Sequence, residues 1–351
     1  MKVVALPASN EASGLEASAV KMIDTLQVGR GIAALGVVVA HASIATNAFS
    51  GEIPEPLSSV LLRGYLGVDF FFVLSGFIIY TTSYNMLRFR RRWQDYLRKR
   101  LVRIYVPYLP IGVVLAALYM ILPNLTSGDR EWSWFPTLTL LPYKLAPALS
   151  VAWTLQHEVL FYALFMGFAL TIGVLWGFIG WLGLIGAFAL VVGEVPREWA
   201  PFLAPINAEF GFGVLAAWLY SRDSTGSDRW YWAGCVASMA AYVALGGAVS
   251  HRIFFGAAVA FAIVPLCRRE AKGMLSFAPA LVFLGAASYA IYLVHNPVLS
   301  VTARLLKADW PIHLIALTMV GAVAGIFYHL VFERLAIRWV NSWLSTGARD
   351  R

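Results

Sequence analysis

The sequence predicts an all-α integral membrane protein, a bundle of about ten transmembrane helices with the N- and C-termini cytoplasmic. Three observations predict it. The 351-residue chain is 60% hydrophobic and 13% charged, about half the charge of a soluble domain. Its apolar runs are roughly 17–24 residues long, which suits helices and not the ~10-residue strands of a membrane barrel. Its basic residues cluster in short segments between those runs, the pattern that orients membrane helices.

The spacing of the apolar runs places spans at 27–47, 66–86, 101–122, 151–171, 173–192, 206–221, 230–249, 251–267, 277–298 and 311–332. The sixth and eighth are the shortest, and Glu209 lies inside the sixth. Residues 1–23 are polar and Ala/Ser-rich. They predict a disordered cytoplasmic segment without the features of a cleavable signal peptide. Residues 24–335 then form one transmembrane domain, and 336–351 a cytoplasmic tail. No segment reads as a separate soluble domain. Residues 123–150 predict the largest outer loop. Its run FPTLTLLPYKLAP is too short and too Pro-broken to span, and so lies on or dips into the outer face.

Loop charge sets the orientation. Segment 87–103, LRFRRRWQDYLRKRLVR, has eight Arg/Lys against one Asp, and RREAK at 268–272 is a second basic cluster. Ten passes that start inside put both clusters in the cytoplasm, while outer loops such as GEIPEP are acidic. The net charge of +8 is thus a topology signal, and no nucleic-acid partner is expected. Cys235 and Cys267 give neither a disulfide framework nor a metal-ligand spacing.

Ionisable groups inside a span are costly and by default mark a site. Arg30, His41, Asp69, Glu158 and His295 stand out. Arg30 and His41 are eleven residues apart, about three helical turns, and share one face. With a rise of ~1.5 Å per residue, His41, Asp69, Glu158 and His295 all fall in the outer half of the membrane. Ser288, Tyr292 and His295 follow i, i+4, i+7 spacing and form one polar stripe. The competing reading is structural: a lone membrane His or Asp can simply tie two helices together. Asp69 suits that role best, pairing with Arg63 or capping its helix. His157 reads as mostly structural, and His251, His313 and His329 have no evident partner. As chemistry, a His can take a proton from a sugar hydroxyl or carry an acyl group itself. A carboxylate bonded to the imidazole would set its tautomer, and either Asp69 or Glu158 suits that role.

Arg100 and Arg103, three apart at the start of the third span, share a face. Paired arginines suit phosphate groups. For Arg88 through Arg92 the positive-inside rule and contact with anionic membrane lipids suffice.

The chain resembles the acyltransferase-3 family, integral membrane proteins that O-acylate polysaccharides and other glycans. The resemblance runs from about residue 24 to 335 and rests on five blocks in order. IDTLQVGRGIAALGVVVAHA carries Arg30 and His41 in an R-x10-H arrangement, and GYLGVDFFFVLSGFIIY a G-V-D-x-F-F-x-x-S-G-F block. YLRKRLVRIYVPY carries an R-x-x-R pattern, and SVAWTLQHEVLFY, with Trp153, a W-S/T-L-x-x-E match. The fifth block is SYAIYLVHNPVL. The resemblance implies a transferase in a bacterial cytoplasmic (inner) membrane. It would move an acyl group, foremost acetyl, from cytoplasmic acyl-CoA to a glycan or lipid-linked saccharide, with no metal. It implies His41, Asp69 and Glu158 as catalytic residues and Arg100 and Arg103 as donor-phosphate ligands. Arg30, Trp153, Ser288, Tyr292 and His295 would contact substrate. The short, stand-alone exopolysaccharide-modifying members are the most similar type. The alternative is a transporter or flippase of glycan precursors that performs no covalent chemistry.

Overall fold

A computed structural model describes residues 23–122, 131–222, 227–246 and 251–346. The expected disordered segment 1–23 lies, apart from Ile23, outside the described residues. The chain is all helical, and its only bridge pairing among the described residues is Trp132 with Ala146.

The helices are α1 Asp24–Phe49, α2 Leu57–Leu62, α3 Gly67–Arg88, α4 Trp93–Ile121, α5 Trp134–Thr139, α6 Trp153–Leu170 and α7 Val174–Val191. There follow α8 Ala200–Leu203, α9 Ala208–Arg222, α10 Asp228–Ala244, α11 Arg252–Ala271, α12 Pro279–Leu305, α13 Trp310–Tyr328 and α14 Arg334–Thr346. A π-helical turn, His329–Glu333, joins the last two. Each predicted span coincides with a helix. Among the described residues, six helical stretches are long and apolar enough to cross a membrane, formed by α1, α2–α3, α4, α7, α12 and α13–α14. The helices at the other four predicted spans, α6, α9, α10 and α11, are shorter or more polar. Glu158 and Glu209 lie within them.

Side-chain ties define two ends. At the basic end, the Glu270 carboxylate at the foot of α11 accepts from the Asp24 and Thr25 amides at 2.7 and 2.8 Å. An acidic group there satisfies orphan amides and meets the positive end of the α1 dipole. Asp228, at the start of α10, meets Arg268 and Arg269 at 3.6 Å each. Segment 87–103 lies at the same end, where Arg100 reaches the last turns of α3. At the opposite end Ser50 donates to the Ala308 carbonyl, and Tyr65 meets Tyr242.

The run 135–147 folds back on α4: α5 is held there by Tyr108, whose hydroxyl donates to the Thr137 carbonyl at 2.8 Å, and by Tyr105, which donates to that of Thr139. The expected tail 336–351 is helical as far as Thr346.

The core that positions the site is aromatic. Phe210 stacks between Phe72 and Phe161 at ring separations of 4.4 and 4.3 Å, joining α3, α6 and α9. Close helix crossings need glycine. At Gly213 a Cβ would overlap the Val73 carbonyl oxygen, and at Gly285 the Gln27 carbonyl oxygen. The second crossing brings α1 against α12 and so sets the separation of their histidines. Gly285→Ala should therefore lower stability by about 1–3 kcal/mol. A thermal melt in detergent measures this, and a melt equal to the parent's would show that the crossing gives way freely.

Candidate active site

His41 and His295 meet across the α1–α12 crossing. Their rings lie 5.0 Å apart, and His41 Nδ1 is 3.3 Å from His295 Nε2. Each Nδ1 also faces the carbonyl four residues back in its own helix, Val37 for His41 and Ile291 for His295, both at 3.0 Å. A carbonyl oxygen only accepts, so in the neutral imidazoles both Nδ1 atoms carry hydrogen. His295 Nε2 is then a bare acceptor toward His41 Nδ1–H, and His41 Nε2 is left as the basic nitrogen. His295 is fully buried, and His41 is partly accessible.

This corrects one expectation. Neither Asp69 nor Glu158 is within hydrogen-bond distance of His41; the Val37 carbonyl sets its tautomer, and another histidine accepts beside it. Asp69 is fully buried and receives a bidentate bond from Arg252, at 2.6 Å to Oδ1 and 2.5 Å to Oδ2. It neither pairs with Arg63, which is exposed, nor caps its helix. Arg252 also lies 5.2 Å over the Tyr65 ring. The buried Glu209 carboxyl stands beside this pair, and its two oxygens accept no hydrogen bond. It fits only because Gly256 faces it, where a Cβ would lie 2.8–3.0 Å from the Glu209 side chain.

Glu158 belongs to a different place. It accepts from Ser75 at 3.2 Å and from Tyr162 one turn away. With Arg30, Arg100, Arg103, Tyr289 and Tyr292 it lines a cavity of about 80 Å³ between α1, α3, α4, α6 and α12, room for a few water molecules or a small acyl group. Arg30 Nε donates to Ser288 at 3.1 Å. Arg100 donates to Thr82 and Ser83 at 3.0 and 3.1 Å, and its Nε is buried with no partner. Arg103 sits 6.0 Å over the Tyr289 ring. Tyr292 closes the cavity, bonded to Thr154 at 2.9 Å and to the Val151 carbonyl at 3.2 Å, and its ring lies 5.8 Å from that of His295. The three arginines thus face one cavity that ends a single turn short of the histidine pair. An unmet buried guanidinium donor beside it suits an anion.

Of the expected site residues, Arg30, Arg100, Arg103, Glu158 and Tyr292 share the cavity, with Ser288 behind Arg30. His41 and His295 stand next to it. Asp69 is apart on α3, and Trp153 lines a different cavity. The sequence reading missed Ser75, Tyr162, Tyr289, Arg252 and Glu209. Only Tyr162, four residues after Glu158, left a spacing signal. No group of three or more His, Cys, Asp or Glu residues among the described residues is placed to hold a metal ion.

Comparison with known proteins identifies the family. A family model described as an acyltransferase domain matches residues 23–331. The exopolysaccharide production protein ExoZ of Rhizobium meliloti is 29% identical over 291 residues, 78% of this chain and 90% of the relative. No solved structure matches. With the family model covering all but the ends, and with all five sequence blocks meeting around one cavity and one histidine pair, the chain belongs to the acyltransferase-3 family and is an acyltransferase.

Proposed function

We propose that the protein moves an acyl group, foremost acetyl, from acyl-CoA to a hydroxyl of a cell-surface or exported glycan, with His41 Nε2 as base or acyl carrier. The observation that carries this reading is the arginine cavity ending beside a tautomer-locked histidine pair. Family membership supports acyl transfer, and the relative's name as an exopolysaccharide production protein supports the acceptor class.

On this reading the chain passes ten times through a bacterial inner membrane, residues 24–335, with both termini and the basic end in the cytoplasm. On that orientation acyl-CoA arrives where Arg100 and Arg103 lie. They hold its phosphates, and the cavity takes only the thioester end, consistent with its small volume. As base, His41 Nε2 removes the proton of the acceptor hydroxyl while that oxygen attacks the thioester carbonyl. The thiolate leaves and recovers a proton from the imidazolium, so the proton balance closes. His295 Nε2 meanwhile accepts from His41 Nδ1–H and stabilises the imidazolium. Asp69 acts only through packing of α3.

The test is transfer itself. Purified protein in vesicles, given acetyl-CoA labelled in the acetyl group and de-O-acylated exopolysaccharide, is expected to place label in ester linkage on the glycan. Glycan that crosses the vesicle membrane unmodified would favour transport instead. Replacing Arg100 or Arg103 by Ala should raise KM for acyl-CoA about 10–100-fold, the loss expected for one hydrogen bond to a charged group. Lys at either position should restore only part of it, since a point charge lacks the bidentate fork. Steady-state kinetics at varied donor concentration measures both, and an unchanged donor KM would remove the arginines from the donor site.

A further inference from the structure

Helix α6 separates two cavities. Thr154, Leu155, Glu158 and Tyr162 line the arginine cavity. Trp153, Gln156 and His157 project from the other side of the helix, as ~100° per residue requires, into a cavity of about 380 Å³ that Ser150 and Arg197 also line. That volume is within the range of small-molecule sites, about 300–1,000 Å³. The Ser150 hydroxyl accepts from Asn296, the neighbour of His295, which ties this second cavity to the histidine pair's helix.

The polar groups here are oriented from behind. His157 Nδ1 meets Asn207 Oδ1 at 2.7 Å, and the Asn207 amide nitrogen donates to the Ala200 and Pro201 carbonyls at 3.1 and 3.0 Å. Asn207 Oδ1 is therefore the acceptor, His157 Nδ1 carries hydrogen, and His157 Nε2 is a bare acceptor. Gln156 spends its amide nitrogen on the Leu141 carbonyl at 2.8 Å, which leaves its oxygen as a second acceptor. Trp153 is 39% exposed, with His157 at right angles to it at 5.5 Å and Phe72 at 6.4 Å. Arg197 makes no hydrogen bond or ion pair with the described residues.

We propose that this cavity is the saccharide acceptor subsite: a pyranose ring lies on Trp153, its hydroxyls donate to His157 Nε2 and Gln156 Oε1, and Arg197 takes a carboxylate carried by the same saccharide. The inference rests on the glycan acyl-transfer reading. The electron-rich indole face attracts the C–H side of a sugar ring. Bare acceptors match a ligand rich in hydroxyl donors, and a lipid tail would leave them unmet. An unpaired guanidinium matches a carboxylate.

The test separates this subsite from the chemistry. With purified protein, acetyl-CoA and de-O-acylated exopolysaccharide, Trp153→Ala, Gln156→Ala and Arg197→Ala should each raise the acceptor KM, about tenfold for Trp153→Ala, and leave the donor KM unchanged. Saturation-transfer NMR with methyl glucoside and glucuronate supplies a readout that needs no turnover. Trp153→Ala should weaken both signals, and Arg197→Ala, at the exposed rim, should weaken glucuronate alone. His41→Ala should keep both. If all three variants keep the parental acceptor KM and NMR signals while His41→Ala is inactive, the subsite is overturned and the acyl-transfer reading stands. If the parent protein acylates no glycan, that reading itself fails.

Discussion

His41→Ala is expected to abolish glycan O-acylation, with a loss of at least about 10²–10⁴-fold in turnover, the usual contribution of a positioned general base. The loss would be larger if the imidazole carries the acyl group, because a covalent route would vanish with it. His41 is only partly buried and its Nδ1 bonds to its own helix backbone and to His295, so truncation should leave protein level and insertion near the parent's. Mass spectrometry of the surface glycan, beside an immunoblot of the membrane fraction, reads both. Retained acylation would remove His41 from the chemistry.

On the proposed mechanism His295 acts through His41, and two substitutions test that role. In His295→Ala the His41 Nδ1–H keeps only the Val37 carbonyl, so the tautomer survives but the imidazolium loses one partner. The expected fall is in kcat, with KM for donor and acceptor nearly unchanged. In His295→Gln the side-chain oxygen can occupy the place of Nε2 and accept the same hydrogen, so part of the rate should return. A purely structural role would move stability in both variants and would not rank them by acceptor geometry.

Much of this site was legible because an ionisable residue in an apolar helix stands out. Arg30, His41 and His295 could be read from type and helical phase, and the R-x-x-R spacing correctly put Arg100 and Arg103 on one face. What failed was pairing. Pairing with Arg63 or capping its helix is the local structural reading of Asp69, whereas its partner, Arg252, lies 183 residues away. Arg252 opens α11, where an arginine reads as an ordinary helix flank. Glu209 lies in one of the two shortest predicted spans, and nothing in a linear pattern shows that it will stand beside the Asp69–Arg252 pair. His313 and His329 lacked evident partners, yet His313 bonds to Thr46 at 3.0 Å and His329 to Glu333 at 2.6 Å. The second pair has i, i+4 spacing and was readable in principle. The first needs the fold, as does the discovery that opposite faces of α6 line separate cavities.

The carboxyl pair on α3 and α9 leads to the other large expected effect, on stability. Asp69 and Arg252 form a buried bidentate pair in which the carboxylate is fully buried and the guanidinium side chain 16% exposed. Breaking such a pair by removing one partner typically costs about 3–5 kcal/mol, because the remaining charge is left without compensation. Asp69→Asn keeps the shape and deletes the charge, so it should lower the melting temperature by about 10 °C in detergent. Glu209 is the contrasting case. It is as deeply buried, but it accepts no hydrogen bond, and the one guanidinium nearby is committed to Asp69. Glu209→Gln removes no ion pair, keeps the volume that Gly256 accommodates, and should leave stability within about 0.5 kcal/mol of the parent or raise it. The difference between the two isosteric changes is the decisive quantity. Equal losses would mean that Glu209 shares the ion pair as a charged third member. A harmless Asp69→Asn would mean that Arg252 finds water or headgroup oxygens at its exposed edge, and that the motif aspartate is held in place by something other than its pair.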